Sequence, residues 1–214
     1  TVVDNENPQI IRIPSDMTVI VEEGDCTIPV SWIAPDSQDN CAIDTFSLSH
    51  ASGSEFPVGL TTVEINTADI HGNTSAASFT VTVLDQETPV ILNLPADISL
   101  TSDGDACGTT VTWIEPQGAD NCSVSDLSSD QVNGEFYPVG ITVVTYSILD
   151  ASGNSDDASF AIEITDTTAP AFVEIPQGIQ MSTDPGQCGA IVSWNPVTAD
   201  DNCEVDTISG SHSS

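Results

Sequence analysis

Carboxylates recur in this chain at a fixed interval, and carboxylates so placed can hold either turns or a cation. Asp4, Asp85 and Asp166 lie 81 residues apart. Glu22, Asp103 and Asp184 keep the same step, as do Asp39, Asp120 and Asp201, each followed by an asparagine. Asp69 and Asp150 form a fourth set, each opening an Asp-x-x-Gly-Asn stretch that ends at Asn73 or Asn154. Hard cations such as Ca2+ collect oxygens from carboxylates, amides and backbone carbonyls, so a cluster of these side chains is suited to one. Aspartate and asparagine also cap turns through their own side chains, and a turn recurs as faithfully as a ligand. On the sequence alone both readings stand. The chain has no Asp-x-Asp-x-Asp-Gly loop.

Cysteine supplies a second chemistry. Cys26, Cys107 and Cys188 keep the 81-residue step, and so do Cys41, Cys122 and Cys203. Each domain must be able to close its own bridge, so the period selects the pairs Cys26–Cys41, Cys107–Cys122 and Cys188–Cys203. Closing such a loop is worth about 3 kcal/mol on the chain-entropy model. Zinc is the competing reading. It needs four ligands, commonly a Cys-x-x-Cys pair or a nearby histidine; no such pair is present, and His50, His71 and His212 do not recur. Disulfides imply an oxidising compartment, hence a secreted, extracellular or cell-surface protein.

Other functions are disfavoured by composition. The chain carries 33 acidic residues against one basic residue, Arg12, for a formal net charge of −32. Phosphate recognition needs clustered lysine and arginine, so nucleic acid is not an expected partner. Membrane insertion is not expected either, because no long apolar stretch is present. Nucleophile–base catalysis needs a placed histidine, and all three histidines break the period. No catalytic residue is assigned and no enzymatic activity is expected.

These side chains must be positioned by a repeated element. Trp32, Trp113 and Trp194 keep the same step, as do Pro8, Pro89 and Pro170. A strict period of this length means a tandem array of one small domain. Period-2 alternation predicts strands at 17–21, 27–33, 43–48, 61–68 and 78–84, with Asp69–Asn73 as a hairpin loop. Short strands with regular turn signals predict an all-β chain of tandem immunoglobulin-like β-sandwich repeats arranged end to end. Residues 1–4 read as the end of a preceding repeat, 5–85 and 86–166 as whole repeats, and 167–214 as a truncated one. The tryptophans are expected in the cores, and Phe56 and Tyr137 at a corner packed on the sandwich. If Cys26–Cys41 closes, residues 34–40 must run back along 27–33. Glu22, Asp39 and Asp85 would then face Asp150 and Asn154 across a junction, with Ca2+ there as a candidate cofactor beside turn chemistry alone. Asp4, Asp69, Asn73, Asp103, Asp120 and Asp166 are the corresponding candidates in the other copies.

The repeated pattern is Cys107…Trp113…Asp120-Asn121-Cys122, then Tyr137-Pro138-Val139-Gly140, Asp150…Gly153-Asn154 and Ser159-Phe160…Asp166. This combination resembles the hyalin repeat, or HYR domain, over the whole chain. Members often carry four cysteines per repeat; here Ile13 and Ser78 stand where the extra two would fall. The resemblance implies adhesion and matrix contact. The lysine-free composition resembles bacterial surface repeats of the Bacteroidota type more than animal ones. The expected function is a structural stalk or spacer in a long adhesin or extracellular filament. The alternatives are a multivalent glycan- or protein-binding surface and a spacer attached to a secreted enzyme. Expected partners are neighbouring repeats, other copies in a fibre, and host or matrix glycans. Asn73-Thr74-Ser75 and Asn121-Cys122-Ser123 also match the N-glycosylation pattern.

Overall fold

A computed structural model describes residues 3–211. Thr1, Val2 and His212, which entered the sequence reading, lie outside the described residues. Every regular element among the described residues is a strand, and the chain divides into two compact units. The first comprises the residues up to Leu92 with Gln117–Ser128 and Ser147–Asp157; the second comprises Asn93–Pro116, Ser129–Tyr146 and the residues from Ala158 onward.

The first repeat contributes β1 (Gln9–Ile11), β2 (Met17–Ile20), β3 (Thr27–Val30), β4 (Asp36–Gln38), β5 (Ile43–Leu48), β6 (Ser54–Pro57), β7 (Gly59–Asp69) and β8 (Thr74–Leu84). Four of these form a sheet in the order β2-β8-β7-β5. β7 and β8 are an antiparallel hairpin from Gly59↔Val83 to Ala68↔Thr74, and β2 pairs with β8 in parallel. Facing this sheet are two ribbons, β3–β6 and β1–β4. The core between them is Val30, Phe56, Val63, Ile65, Phe79, Val81 and Val83.

Strict alternation along the hairpin explains both the core and the acids. On β7 the inward row is Val63, Ile65, Thr67 and Asp69; beyond β8 the row Phe79, Val81, Val83 ends at Asp85. Successive side chains on a strand point to opposite faces, so an aspartate in phase with the core residues is drawn inward with them. Asp69 and Asp85 therefore sit at opposite ends of the hairpin, separated by a strand of 11 residues, or about 35 Å.

The second repeat has the same strands in the same order: β9 (Val90–Leu92), β10 (Ile98–Thr101), β11 (Gly108–Thr110), β12 (Gln117–Ala119), β13 (Val124–Ser129), β14 (Phe136–Pro138), β15 (Gly140–Asp150) and β16 (Ser155–Thr165). Here β10 pairs with β16 in parallel and β11 with β14 antiparallel. Residues after 166 contribute β17 (Ala171–Glu174) and β18 (Thr198–Asp200), paired antiparallel. Phe172, Val173 and Ile175 there are exposed.

The tryptophans line the cores without being sealed inside. Trp32 is half-buried, edge-on to Phe79 at 5.1 Å and to Phe56 at 5.9 Å. Trp113 stacks edge-on to Phe160 at 5.4 Å and donates its Nε1 hydrogen to Tyr146 Oη at 2.7 Å. The buried aromatics are instead Phe56, Phe79, Tyr137, Tyr146 and Phe160; Phe56 and Tyr137 sit on the short strands β6 and β14.

One expectation is overturned. Residues 34–40 do not run back along β3: Asp36–Gln38 form β4 and pair with β1. The chain goes on toward the far end of the repeat, where Ile43 pairs with Asp69. Cys26 sits at the other end, its carbonyl accepting from Val58 N–H beside the Gly59↔Val83 pair. Cys26 and Cys41 thus lie at opposite ends of the sandwich and cannot meet. The bridges are Cys26–Cys122 and Cys107–Cys203, while Cys41 and Cys188 are free thiols.

Candidate cation junction and its disulfide

Within the first unit, the end of repeat one meets repeat two through three recurring pieces of sequence: the closing aspartate, the Asp-Asn-Cys loop and the Asp-x-x-Gly-Asn turn. In the turn, Asp150 Oδ1 accepts the N–H groups of Ser152 (2.9 Å) and Asn154 (2.7 Å), and Oδ2 accepts the Asn154 amide at 2.7 Å. Gly153 takes a φ of +94° to close this loop, a conformation that favours glycine. The Asn154 amide also reaches the Asp85 carbonyl oxygen at 3.3 Å.

The Asp-Asn-Cys loop comes in from the other side. Asp120 Oδ2 accepts from Cys122 N–H and Ser123 N–H, both at 3.0 Å. Asn121 turns its amide onto the Asp25 carbonyl at 2.7 Å and onto Asp85 Oδ1 at 3.4 Å. The next residue, Cys122, is bonded to Cys26. These contacts bring carboxylate oxygens of Asp85, Asp120 and Asp150 within 4.8 Å of one another. Asp85 and Asp150 are 6% and 2% exposed.

Each carboxylate in the loop splits its work. One oxygen of Asp120 holds the turn, while its Oδ1 and the neighbouring Asn121 Oδ1 are buried with no hydrogen-bond partner. The same pair recurs in the second unit, where Asp201 Oδ2 and Asn202 Oδ1 are buried without a partner. There, Asp166 stands with Asp201 and Cys203, and the Asn202 amide bonds Ala106 O and Asp166 Oδ1 at 3.2 and 3.3 Å. Buried polar atoms are almost always satisfied. Here the unsatisfied atoms are all acceptors, beside two or three carboxylates, in a chain whose one basic side chain, Arg12, pairs with Asp36 on the surface.

A third cluster lies at the other end of repeat one: Asp4, Asp39 and Asp69, with Cys41 and His71 against Asp4. Asp69 Oδ1 accepts from His71 N–H and Asn73 N–H, each at 2.8 Å, and Oδ2 from the Asn73 amide at 2.7 Å. Burial pushes Asp69 and Asp150 up, but hydrogen bonds from the following asparagine and neighbouring N–H groups outweigh it. Both are held below the ordinary carboxylate range. Asp4 is lowered chiefly by the Glu6 N–H, and Asp166 by the Thr168 N–H.

The recurring acids therefore sort differently from the sequence expectation. Asp39 does not join Glu22 and Asp85; it lies with Asp4 and Asp69, because the chain does not reverse after residue 33. Its counterpart Asp120 takes that place beside Asp85. Among the described residues, Glu22 and Asp103 belong to none of the clusters, and Asp103 Oδ2 instead accepts from Thr109 Oγ1 at 2.7 Å. The sequence reading missed the role of the asparagine after each loop aspartate, although its recurrence was visible. It also missed Asp16 and Asp97, which keep the 81-residue step and accept N–H bonds from Thr80 and Ala161 at 2.7 and 2.8 Å. The amides of Asn73 and Asn121 are both engaged inside these clusters.

The sequence profile of the HYR domain matches residues 3–83 and 84–164. The chain is similar to hyalin of Lytechinus variegatus, 36% identical over 188 residues, covering 85% of this chain and 35% of that protein. It is also similar to hyalin of Strongylocentrotus purpuratus, 32% identical over 208 residues, covering 94% of this chain and 17% of that protein. It thus spans about a third or less of these curated relatives. Both are animal proteins and lend no support to the likeness with bacterial surface repeats. Among solved structures, the protocadherin GammaB4 extracellular domain matches at 17% identity and a TM-score of 0.35, over 94% of this chain and 39% of that one.

Proposed function

Because the chain belongs to the HYR domain family, we propose that it is a non-catalytic segment of an extracellular adhesion protein, a stalk whose repeats are fastened at each junction by a disulfide and a calcium ion. The observation that carries this is the junction itself. The Asp-Asn-Cys loop of one repeat is bonded covalently to the repeat before it, and buried acceptor oxygens converge beside the bridge. Asp85, Asp120 and Asp150 would supply carboxylate oxygens, and Asn121 Oδ1 an amide oxygen. The donor set is all oxygen, as a hard cation prefers. Bound calcium would offset the repulsion among the three carboxylates and satisfy both orphaned acceptors. Two bridges support an oxidising, extracellular setting. The test is calcium titration by calorimetry at fixed ionic strength, with magnesium and sodium as controls. Heat and a raised Tm with calcium, both abolished in Asp120→Asn, support the reading. Identical melting in calcium and in EDTA with matched sodium refutes it.

A second reading, in which the repeats themselves bind a partner weakly at many copies, gains one observation. Ile33 and Ile114 are 82% and 85% exposed, and Leu60 and Ile141 are 70% and 71% exposed. Each pair keeps the 81-residue step, so any ligand that uses them meets the same apolar groups once per repeat. An L60S/I141S variant that keeps its Tm but loses adhesion to a matrix-coated surface would favour this reading over the stalk.

A further inference from the structure

The two bridges interleave. Cys26 joins Cys122 and Cys107 joins Cys203, each across 96 residues, so each loop contains one cysteine of the other. Domain-local bridges would leave the chain between repeats as the sole covalent connection. The interleaved ones build a second, much shorter path through the molecule. That path enters along the chain to Cys26, crosses to Cys122, runs backward to Cys107, crosses to Cys203 and continues to the end.

We propose that this path is a covalent spine that carries tension, and that the rest of each repeat is mechanically bypassed. The proposal depends on the bridge connectivity alone and is independent of calcium. Along the spine, a repeat contributes only the segment between its own two cysteines, such as Cys107 to Cys122. Fully extended, those 15 residue steps reach about 50 Å, whereas the 81 residues of a whole repeat would reach about 275 Å. The bridges themselves add little, with Cα–Cα distances of 5.0 and 4.7 Å. In the first repeat the equivalent segment, Cys26 to Cys41, already runs from the Asp85 end of the sandwich to the Asp69 end, a distance of about 35 Å. Only about 15 Å of slack per repeat is therefore available. A conventional sandwich array lengthens severalfold when its domains unfold. This one would stay near its folded length even with every strand pulled apart. The segment that bears load contains the core-packing Trp113, while the long hairpins β7–β8 and β15–β16 lie off the path.

The test is single-molecule pulling on the whole chain by handles at its two ends, in oxidising buffer and then with reductant. With the interleaved bridges, the extended contour of the oxidised chain is about 190 Å, and reduction raises it to about 720 Å. The single variant Cys26→Ser opens one link and gives about 400 Å. An oxidised contour near 190 Å that steps to about 400 Å in Cys26→Ser supports the spine. An oxidised contour near 590 Å, the value for bridges closed within each repeat, overturns it, as does a contour unchanged by reductant. Non-reducing peptide mapping of the same sample reads the pairing independently of folding: a Cys26–Cys122 peptide supports the proposal, and a Cys26–Cys41 peptide overturns it.

Discussion

Repeat one carries the same three aspartates at both of its ends, and only one end is stapled. At one end stand Asp85, Asp120 and Asp150; at the other, their counterparts Asp4, Asp39 and Asp69. The contacts match closely. The Asn121 amide reaches Asp85 Oδ1 at 3.4 Å, and Asn40 reaches Asp4 Oδ1 at 3.4 Å. Asn154 bonds the Asp85 carbonyl at 3.3 Å, and Asn73 bonds the Asp4 carbonyl at 3.4 Å. At the first end, Asn121 also clamps Asp25 O and Cys122 is bonded to Cys26. At the second end, Cys41 is a free thiol beside Asp4, and His71 stands where the other has Ser152. The acid constellation thus assembles from the closing aspartate and two loops without the bridge. The disulfide is a separate fastening laid over it.

The largest effect should come from removing that fastening. On the chain-entropy model a loop of this size is worth about 4–5 kcal/mol. The double variant C26S/C122S should lose that much in denaturant unfolding, whereas Cys41→Ser should stay within about 0.5 kcal/mol of wild type. Calcium binding should survive in the double variant, because the acids keep their loops. If it vanished along with the bridge, the two fastenings would not be separable.

Why the sequence led to the wrong pairing is instructive. The period showed the repeat, the strands and the recurrence of Asp69 and Asp85, because all of these are local or periodic. Phe56 and Tyr137 were legible as a corner for the same reason. The partner of Cys26 was not, since every cysteine has equivalents 81 residues away. A bridge within a repeat and a bridge to the next one differ only by one period. What decides between them is whether residues 34–40 turn back or continue to the far end. That depends on β4 pairing with β1, a contact between residues some 25 positions apart that leaves no mark in alternation. Asp39 was misplaced by the same step.

A smaller effect separates the two acid clusters by cation. Among the described residues, the buried acceptors without partners are Asp120 Oδ1 and Asn121 Oδ1 at the stapled end and Asp4 Oδ2 at the other. The stapled cluster should bind calcium more tightly. At a hundredfold excess over its Kd, calcium should stabilise the fold by about 2.7 kcal/mol. Asp150→Asn should abolish most of the calcium-dependent rise in Tm, and Asp69→Asn only a minor part of it. Equal losses in the two variants would erase the distinction.

Acid should act on both ends alike. Asp69 and Asp150 are held below their ordinary range in the folded state, so each contributes stability that is present above the unfolded value, about pH 4. That contribution is lost as the pH falls through the lowered folded value. Diffuse repulsion among 33 acids relaxes over the same range and obscures the effect in the wild type alone. The difference in unfolding free energy between wild type and D69N/D150N removes that background. In calcium-free buffer it should be flat from pH 7 to 5 and shrink below pH 4. A difference that instead grew on acidification would mean that burial of these carboxyls outweighs their hydrogen bonds.

The smallest effect is the sharpest probe of the unstapled end. The Cys41 thiol lies against the Asp4 carboxylate, and that neighbour, with burial and the surrounding acids, raises the thiol above its ordinary range. Thiolate is the reactive form, so Cys41 should alkylate slowly at neutral pH, with a rate that climbs only in alkaline buffer. Asp4→Asn should shift that profile toward the ordinary thiol while leaving stability within about 0.5 kcal/mol. Thiol counting should find two reactive groups per oxidised chain, Cys41 and Cys188. Calcium at this end would draw Asp4 toward the cation and away from the thiol, so alkylation of Cys41 should quicken when calcium is added and return to its slow rate in EDTA. A rate indifferent to calcium would mean that Asp4, Asp39 and Asp69 hold only their turns.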